Sequence, residues 1–247
     1  MKKLLCTLVL LTIAIPSTKA LNPNHEIITY GQSEQGRDLI CYSISDANYH
    51  TTILLTFAIH GFEDSYKRDG QALTDTALNL IDYYKNTGLP SSIRLLIVPS
   101  ANPDGLSEGK TQNGFGRCNA KGIDLNRDFA ANHKVRKKGR YYTPYPFSAK
   151  ESRALADLVL TQKPDIVIDF HGWINCTIGD QQLAQIFRQE LNLPHKKAFT
   201  STNYGSFAYW SHKQGAKALL VEFKSPKIDL DQLINTIDSI IQTKTAR

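Results

Sequence analysis

Cysteine is scarce in this chain, with four in 247 residues. Cys6 falls in an apolar stretch near the start, and Cys41, Cys118 and Cys176 remain. That set is too small, and odd in number, for a disulfide framework. One bridge among the three is compatible with an oxidising compartment, and the sequence does not choose its pair. Long apolar runs are missing too. The longest, residues 4–15, falls short of the ~20 residues a membrane span needs. No internal repeat and no linker divides the chain. Charge of one sign is not in large excess, at a formal +6. A surplus this mild makes no electrostatic case for nucleic acid.

The first twenty residues form a pattern of their own. Met1-Lys2-Lys3 precedes the apolar run, and Pro16-Ser17-Thr18-Lys19-Ala20 follows it. A basic start, a short apolar centre and small residues at Thr18 and Ala20 read as a secretory signal peptide cut after Ala20. Cys6 lies inside the apolar centre and not at the cleavage edge, so a lipid anchor is not expected. Export to the periplasm or the extracellular space is expected, with no membrane span in the mature form. Residues 21–247 are then one unit, long enough for a single domain with a substantial core. Losing three lysines and no acid lowers the formal charge from +6 to +3.

Residues 26–30 and 38–45 read as two strands joined by Gly31-Gln32-Ser33-Glu34-Gln35-Gly36, an opening hairpin. Residues 52–59 are a buried strand. Residues 69–85 place Leu73, Ala77, Leu80, Ile81 and Tyr84 at helical spacing, and Gly88-Leu89-Pro90 ends that helix. Residues 93–98 are another apolar strand. Residues 101–147 show little regular pattern, and a loop this long inside one domain is usually functional. Within it, residues 133–140 are basic. They form either a solvated loop or a contact for an anionic substrate or cell-wall polymer. Ser148 and Glu151 fit a capping box before a helix to about residue 161. A strand at 166–172, a helix at 180–191, a strand at 218–223 and an amphipathic helix at 229–241 complete the chain. The alternation predicts an α/β fold: one domain, a twisted mixed sheet, helices on both faces.

Two of these strands run into histidine. Ile53 to Ile59 leads to His60-Gly61-Phe62-Glu63, and Ile166-Val167-Ile168-Asp169-Phe170 leads to His171. Two histidines and a glutamate, leaving a fourth position for water, make a catalytic zinc set. Strand ends at one edge of an open sheet are where α/β folds place their chemistry. Singly, a histidine at a strand end more often hydrogen-bonds than ligates. His60, Glu63 and His171 gain weight together. Glu222 stands among Leu220, Val221 and Phe223. A carboxylate there is costly to bury without a role or a partner, and burial raises its pKa toward the range of a proton shuttle.

These residues resemble the zinc metallocarboxypeptidases of the M14 (carboxypeptidase A-like) family. The matching pieces are Gly36-Arg37, His60-Gly61-Phe62-Glu63, Asn102-Pro103-Asp104-Gly105, Gly122-Ile123-Asp124-Leu125-Asn126-Arg127, Asp169-Phe170-His171-Gly172, Gly205-Ser206 and Val221-Glu222-Phe223. The resemblance implies one Zn2+ on His60, Glu63 and His171. It implies that Asp124 orients a ligand histidine and that Glu222 is the general base. Asn126 and Arg127 would grip a substrate's free carboxylate, and Arg117 would stabilise the oxyanion. The family's lid tyrosine usually stands a few residues before the Gly-Ser pair, where this chain has Ser201. Tyr204 is one substitute, Tyr141 or Tyr142 another.

The run from Gly116 to Arg127 looks like the bacterial murein-peptide branch, whose members cut the γ-D-glutamyl–diaminopimelate bond of peptidoglycan peptides. The expected function is therefore an exported, monomeric metallocarboxypeptidase acting on such peptides. The alternative is a general exported carboxypeptidase that removes neutral or apolar C-terminal residues, which Phe207 after Ser206 favours if it lines the pocket. A non-catalytic wall-binding module would have lost a ligand or the base. A deacylase of N-acyl amino acids would also use zinc.

Overall fold

The computed structural model describes residues 24–63, 65, 66, 69–108 and 116–245. The leader read at residues 1–20 lies outside them. Among the described residues no helix is long and apolar enough to cross a membrane, and Cys41, Cys118 and Cys176 are buried.

The chain begins with an antiparallel hairpin, β1 (Asn24–Gln32) and β2 (Asp38–Ser45). Then follow β3 (Thr51–Phe57), α1 (Asp69–Thr87), β4 (Ile93–Val98), α2 (Pro103–Glu108) and α3 (Lys150–Gln162). β5 (Ile166–Gly172), β6 (Cys176–Gly179), α4 (Gln181–Leu191) and β7 (His195–Lys197) come next. α5 (Phe207–Lys213), β8 (Lys217–Phe223) and α6 (Leu230–Thr245) end it. The strands form one mixed sheet in the order β1-β2-β4-β3-β5-β8-β6-β7. Its four central members, β4, β3, β5 and β8, run parallel. β2 and β6 flank them antiparallel.

Central parallel strands are covered on both faces, which is why β3 and β5 are buried at every position. Strand alternation sends Ile53, Leu55, Phe57, Ile168 and Phe170 to one face, under α1, α4 and α6. It sends Leu54, Leu96, Val167 and Ala218 to the other, under α3 and α5. The expected two-sided α/β layout is therefore present. On this second face, Asp169 and His171 follow Val167 along β5, and Glu222 follows Ala218 and Leu220 along β8. The apolar face thus turns polar at its carboxyl end.

Two expectations need correction. His60 does not end its strand. Pairing stops at Phe57, Ala58 takes a left-handed φ of 48°, and the Phe57 and Ala58 carbonyls accept the Ala101 and Asn102 amides at 3.0 and 3.1 Å. His60 stands three residues further on, in a loop. The capping box at Ser148 does not form either. The N-cap of α3 is Ala149, without a side-chain cap. Ser148 donates its hydroxyl to buried Asp128 at 2.5 Å, and Glu151 accepts from Asn119 Nδ2 at 2.8 Å and the Glu34 amide at 2.9 Å. A buried carboxylate outcompetes the helix end for that hydroxyl.

The irregular stretch also holds α2 and a 3-10 turn, Leu125–Arg127. Asn102 explains α2: its Oδ1 accepts the Gly105 amide at 3.0 Å, with Pro103 at the first helical position. The Gly36-Arg37 motif turns out to be structural. Arg37 Nη1 lies 2.5 Å from Asp104 Oδ1, which ties the opening hairpin to α2.

Candidate metal centre and pocket

Strand order places the site. From β3 the chain crosses to β4 on one side and later to β5 on the other, so a crevice opens between the carboxyl ends of β3 and β5. His60 and Glu63 enter it from the loop after β3, and His171 from the end of β5. Glu222 pairs with His171 in register on β8. The loop after β3 is held closely. A Cβ on Gly61 would lie 2.2 Å from the Gly105 carbonyl carbon, so only glycine fits. Asp69, the first residue of α1, accepts the amides of Glu63, Ser65 and Tyr66 at 2.8, 3.2 and 3.0 Å. It also accepts Trp173 Nε1 at 2.9 Å.

The sequence-predicted triad comes together, and all three residues are buried. His60 Nδ1 is 2.9 Å from Glu63 Oε2, and His171 Nδ1 is 2.8 Å from Glu63 Oε1. The far nitrogens face carboxylates: His60 Nε2 is 3.0 Å from Asp124 Oδ1, and His171 Nε2 is 2.9 Å from Asp169 Oδ2. A neutral imidazole donates from one nitrogen only. With those donors given to Asp124 and Asp169, both Nδ1 lone pairs point at a carboxylate that also only accepts. A cation among the three resolves that conflict. The three ligand atoms lie within 4.8 Å of one another, close enough to share one ion. Two nitrogens and a carboxylate oxygen are a donor set that zinc accepts. Absent a cation, the alternative is a second proton on the ring. Burial alone lowers the His171 pKa, but Asp169 and Glu63 beside it outweigh that and raise it well above the ordinary value.

Two glutamates in this crevice are driven apart. Burial raises the Glu63 pKa, but the adjacent His60 and His171 outweigh it and hold the carboxyl well below its usual range. Burial likewise raises Asp124, and His60 and Arg117 outweigh it. For Glu222 burial wins: its pKa is pushed up to about 8, opposed by His171 and reinforced by Glu63. Its Oε2 is buried with no hydrogen-bond partner among the described residues. One carboxyl held ionised beside a second whose proton affinity is raised is an arrangement suited to acid–base chemistry.

The cavity measures about 530 Å³, and His60, Glu63, His171, Glu222, Arg117 and Tyr204 are among its lining. Arg117 Nη1 is 3.4 Å from Glu63 Oε2, and its Nε is 3.8 Å from Asp124 Oδ2. Asn126 lies deep, with Oδ1 accepting the Phe207 amide at 2.9 Å and Nδ2 3.3 Å from His171 Nε2. Arg127 also lines the cavity and donates Nη1 to the Asn126 carbonyl at 2.6 Å. Gly205, at φ +69°, lets the chain pass where a Cβ would stand 2.0 Å from the Arg127 carbonyl oxygen. Of the candidate lid tyrosines, Tyr204 and Tyr141 face the cavity, whereas Tyr142 packs on the core.

Phe207 corrects one expectation. It is fully buried in the second core, tilted against Phe129, and it is no part of the cavity lining. The apolar lining comes from Trp173, Ile174, Ile178 and Leu220 instead. Sequence reasoning also missed Asp169 as the partner of His171, and Asp69 as the anchor of the ligand loop. Asp169 carried a usable signal, a carboxylate in an apolar strand, as at Glu222. Asp69 did not, because an acid in the first turn of a helix is ordinary. The basic stretch is not wholly solvent-facing: Arg136 and Arg140 line the cavity.

An open α/β sheet with a His–Glu–His cluster and a raised carboxyl at its switch point defines a metal-dependent hydrolase by class. Over residues 14–206 the chain matches the Peptidase M14 model, zinc carboxypeptidase, and it belongs to that family. The match stops before β8, so the place of Glu222 rests on geometry. Bacteriocin BCN5 of Clostridium perfringens is 35% identical over 86% of this chain, which spans only 24% of that protein. Murein peptide amidase A of Escherichia coli K12 is 28% identical over 82% of each chain. The crystal structure of murein-tripeptide amidase from Escherichia coli O157 shares the fold at a TM-score of 0.61. It is 24% identical, covering 94% of this chain and 96% of that one.

Proposed function

We propose that this chain is an exported zinc enzyme that hydrolyses the amide bond next to a residue with a free carboxylate. Its proposed substrates are peptidoglycan-derived peptides containing the γ-D-glutamyl–diaminopimelate bond. The observation that carries this reading is the meeting of His60, Glu63, His171, Glu222 and Arg127 in one cavity. Likeness to a murein peptide amidase over most of both chains supports the substrate class.

His60, Glu63 and His171 would hold the zinc, which supplies a Lewis acid and lowers the pKa of bound water. Asp124 and Asp169 keep a proton on the Nε2 of each ring and so leave Nδ1 free to ligate. Glu222 takes a proton from the attacking water at Oε2 and delivers it to the leaving amine. Arg117 neutralises the negative oxygen that develops on the scissile carbonyl. Arg127, beside Asn126, orients the substrate's terminal carboxylate. Tyr204 or Tyr141 covers the substrate and limits water. The general carboxypeptidase reading loses the argument from Phe207, though Trp173, Ile174, Ile178 and Leu220 still give the cavity an apolar lining.

The deciding experiment incubates purified, zinc-loaded protein with an L-alanyl-γ-D-glutamyl-diaminopimelate tripeptide, a tetrapeptide stem and ordinary C-terminal peptides, and reads the products by mass spectrometry. Release of diaminopimelate from the tripeptide is expected. Cleavage confined to ordinary peptides would overturn the substrate assignment.

A further inference from the structure

The basic stretch after Asn132 folds as a tight hairpin. Arg136 and Thr143 exchange backbone hydrogen bonds of 2.9 and 3.0 Å, and the Tyr142 amide donates to the Gly139 carbonyl at 2.9 Å. It is tied to the body of the domain at several points. The buried Thr143 hydroxyl donates to Asp128 Oδ1 at 3.0 Å. The Tyr142 carbonyl accepts the Asp124 amide at 2.9 Å. The Arg140 carbonyl accepts the Cys118 thiol at 3.5 Å. Two of these ties run to Cys118 and Asp124, next to or within the proposed catalytic set. The hairpin also sorts its charges. Lys137 and Lys138 are exposed, whereas Arg136 and Arg140 turn to the cavity.

Inside the cavity these two arginines share one platform with Arg127. The guanidinium carbons of Arg127, Arg136 and Arg140 lie 5.4, 5.5 and 5.2 Å from the centre of the Tyr141 ring. Arg136 makes no ion pair among the described residues, and its Nε is buried without a hydrogen-bond partner there. A guanidinium fixed by its backbone, stacked on an aromatic ring and facing a substrate cavity is prepared for a carboxylate.

Resting on the hydrolase reading above, we infer that Arg136, with Arg140, binds a second carboxylate on the released residue and so selects dicarboxylic over monocarboxylic residues. Arg127 and Arg136 flank one ring, so a single residue reaches both. Diaminopimelate fits this arrangement. Lysine, which is diaminopimelate without its distal carboxylate, leaves Arg136 unpaired.

The test compares kcat/KM for two γ-D-glutamyl tripeptides, one ending in diaminopimelate and one in lysine, on the zinc-loaded protein. A charge-assisted hydrogen bond corresponds to a preference of about 10- to 100-fold for diaminopimelate. In Arg136→Gln the ratio is expected to fall toward about one, and in Arg136→Lys to take an intermediate value. Both peptides are read on one preparation, so a partly unfolded variant lowers both rates and cannot imitate a change in ratio. Equal rates in the wild type, or an unchanged ratio in Arg136→Gln, would overturn the inference. If neither tripeptide is cut but ordinary peptides are, the murein reading fails on its own. The same ratio, taken between peptides ending in Glu and in Gln, then decides the second-carboxylate site.

Discussion

The cavity has two unlike walls. One is built from strand ends and the loop after β3, and it carries His60, Glu63, His171 and Glu222, all buried. The other is an irregular loop and hairpin carrying Arg127, Arg136, Arg140 and Tyr141. The first wall is rich in carboxylates, and its two histidines are held by Asp124 and Asp169 behind them. The second is basic, and its groups are fixed by backbone bonds and one aromatic ring. Opposed fields of this kind align a substrate whose carboxylates face the arginines and whose amide faces the histidines. On the proposed mechanism, chemistry belongs to one wall and recognition to the other. Substitutions should therefore separate turnover from affinity.

The largest effect comes from dismantling the strand-end wall. His171→Ala removes a proposed ligand nitrogen, leaves Asp169 without its partner and leaves Glu63 with His60 as its one histidine neighbour. Activity should fall to background, and zinc content after dialysis should drop well below one per chain. Stoichiometric zinc in that variant, read by atomic absorption, would remove His171 from the ligand set. Next in size is Glu222→Gln, which keeps shape and metal but cannot carry a proton. A loss of about 10²- to 10⁴-fold in kcat is expected, with KM little changed. Near-normal turnover would assign the base elsewhere.

The two walls differed in how well the sequence announced them. Histidines and carboxylates inside apolar strands contradict their surroundings, and that contradiction marked His171 and Glu222. The parallel core was legible too, since β3 and β5 are short, buried and mostly apolar. The other wall was announced less sharply: the resemblance pointed to Arg127 and offered Tyr141, but residues 133–140 read either as a solvated loop or as a contact for an anionic substrate. Arginines in a polar loop look like any solvated face, and it takes the fold, with its bridge between Arg136 and Thr143, to show that Arg136 and Arg140 line the cavity. β6, β7 and α5 were hidden by shortness: three to seven residues are too few for either periodicity to show. The misplaced end of β3 has a different cause. Ala58 and Ile59 are apolar because they are buried, and composition does not reveal that the backbone has left the sheet to bond with Ala101 and Asn102.

A smaller effect tests the recognition wall alone. Arg127→Ala should raise KM about 10- to 100-fold for peptides with a free terminal carboxylate, the loss of a charge-assisted pair. It should change little for the same peptides amidated, with kcat near normal in both cases. Equal losses on free and amidated substrates would place Arg127 outside the carboxylate contact and blur the division between the walls.

The smallest effect concerns stability and is read on the metal-stripped protein. Glu222 has an ordinary carboxyl value of 4.5, and in the fold it is raised to about 8. Between those values the unfolded chain has released the proton and the folded one has kept it. The unfolded state binds fewer protons, so stability must fall as pH rises through that window. Above about pH 8 both states are ionised and the dependence flattens. Gln has no proton to lose. The difference between wild type and Glu222→Gln should therefore be near zero at pH 4.5, and by pH 8 the wild type should be the less stable. Thermal melts of both proteins in chelator across that range give the answer. A difference that grows in the opposite direction would mean that Glu222 is ionised and paired in the folded chain, which would leave the strand-end wall without its protonated carboxyl.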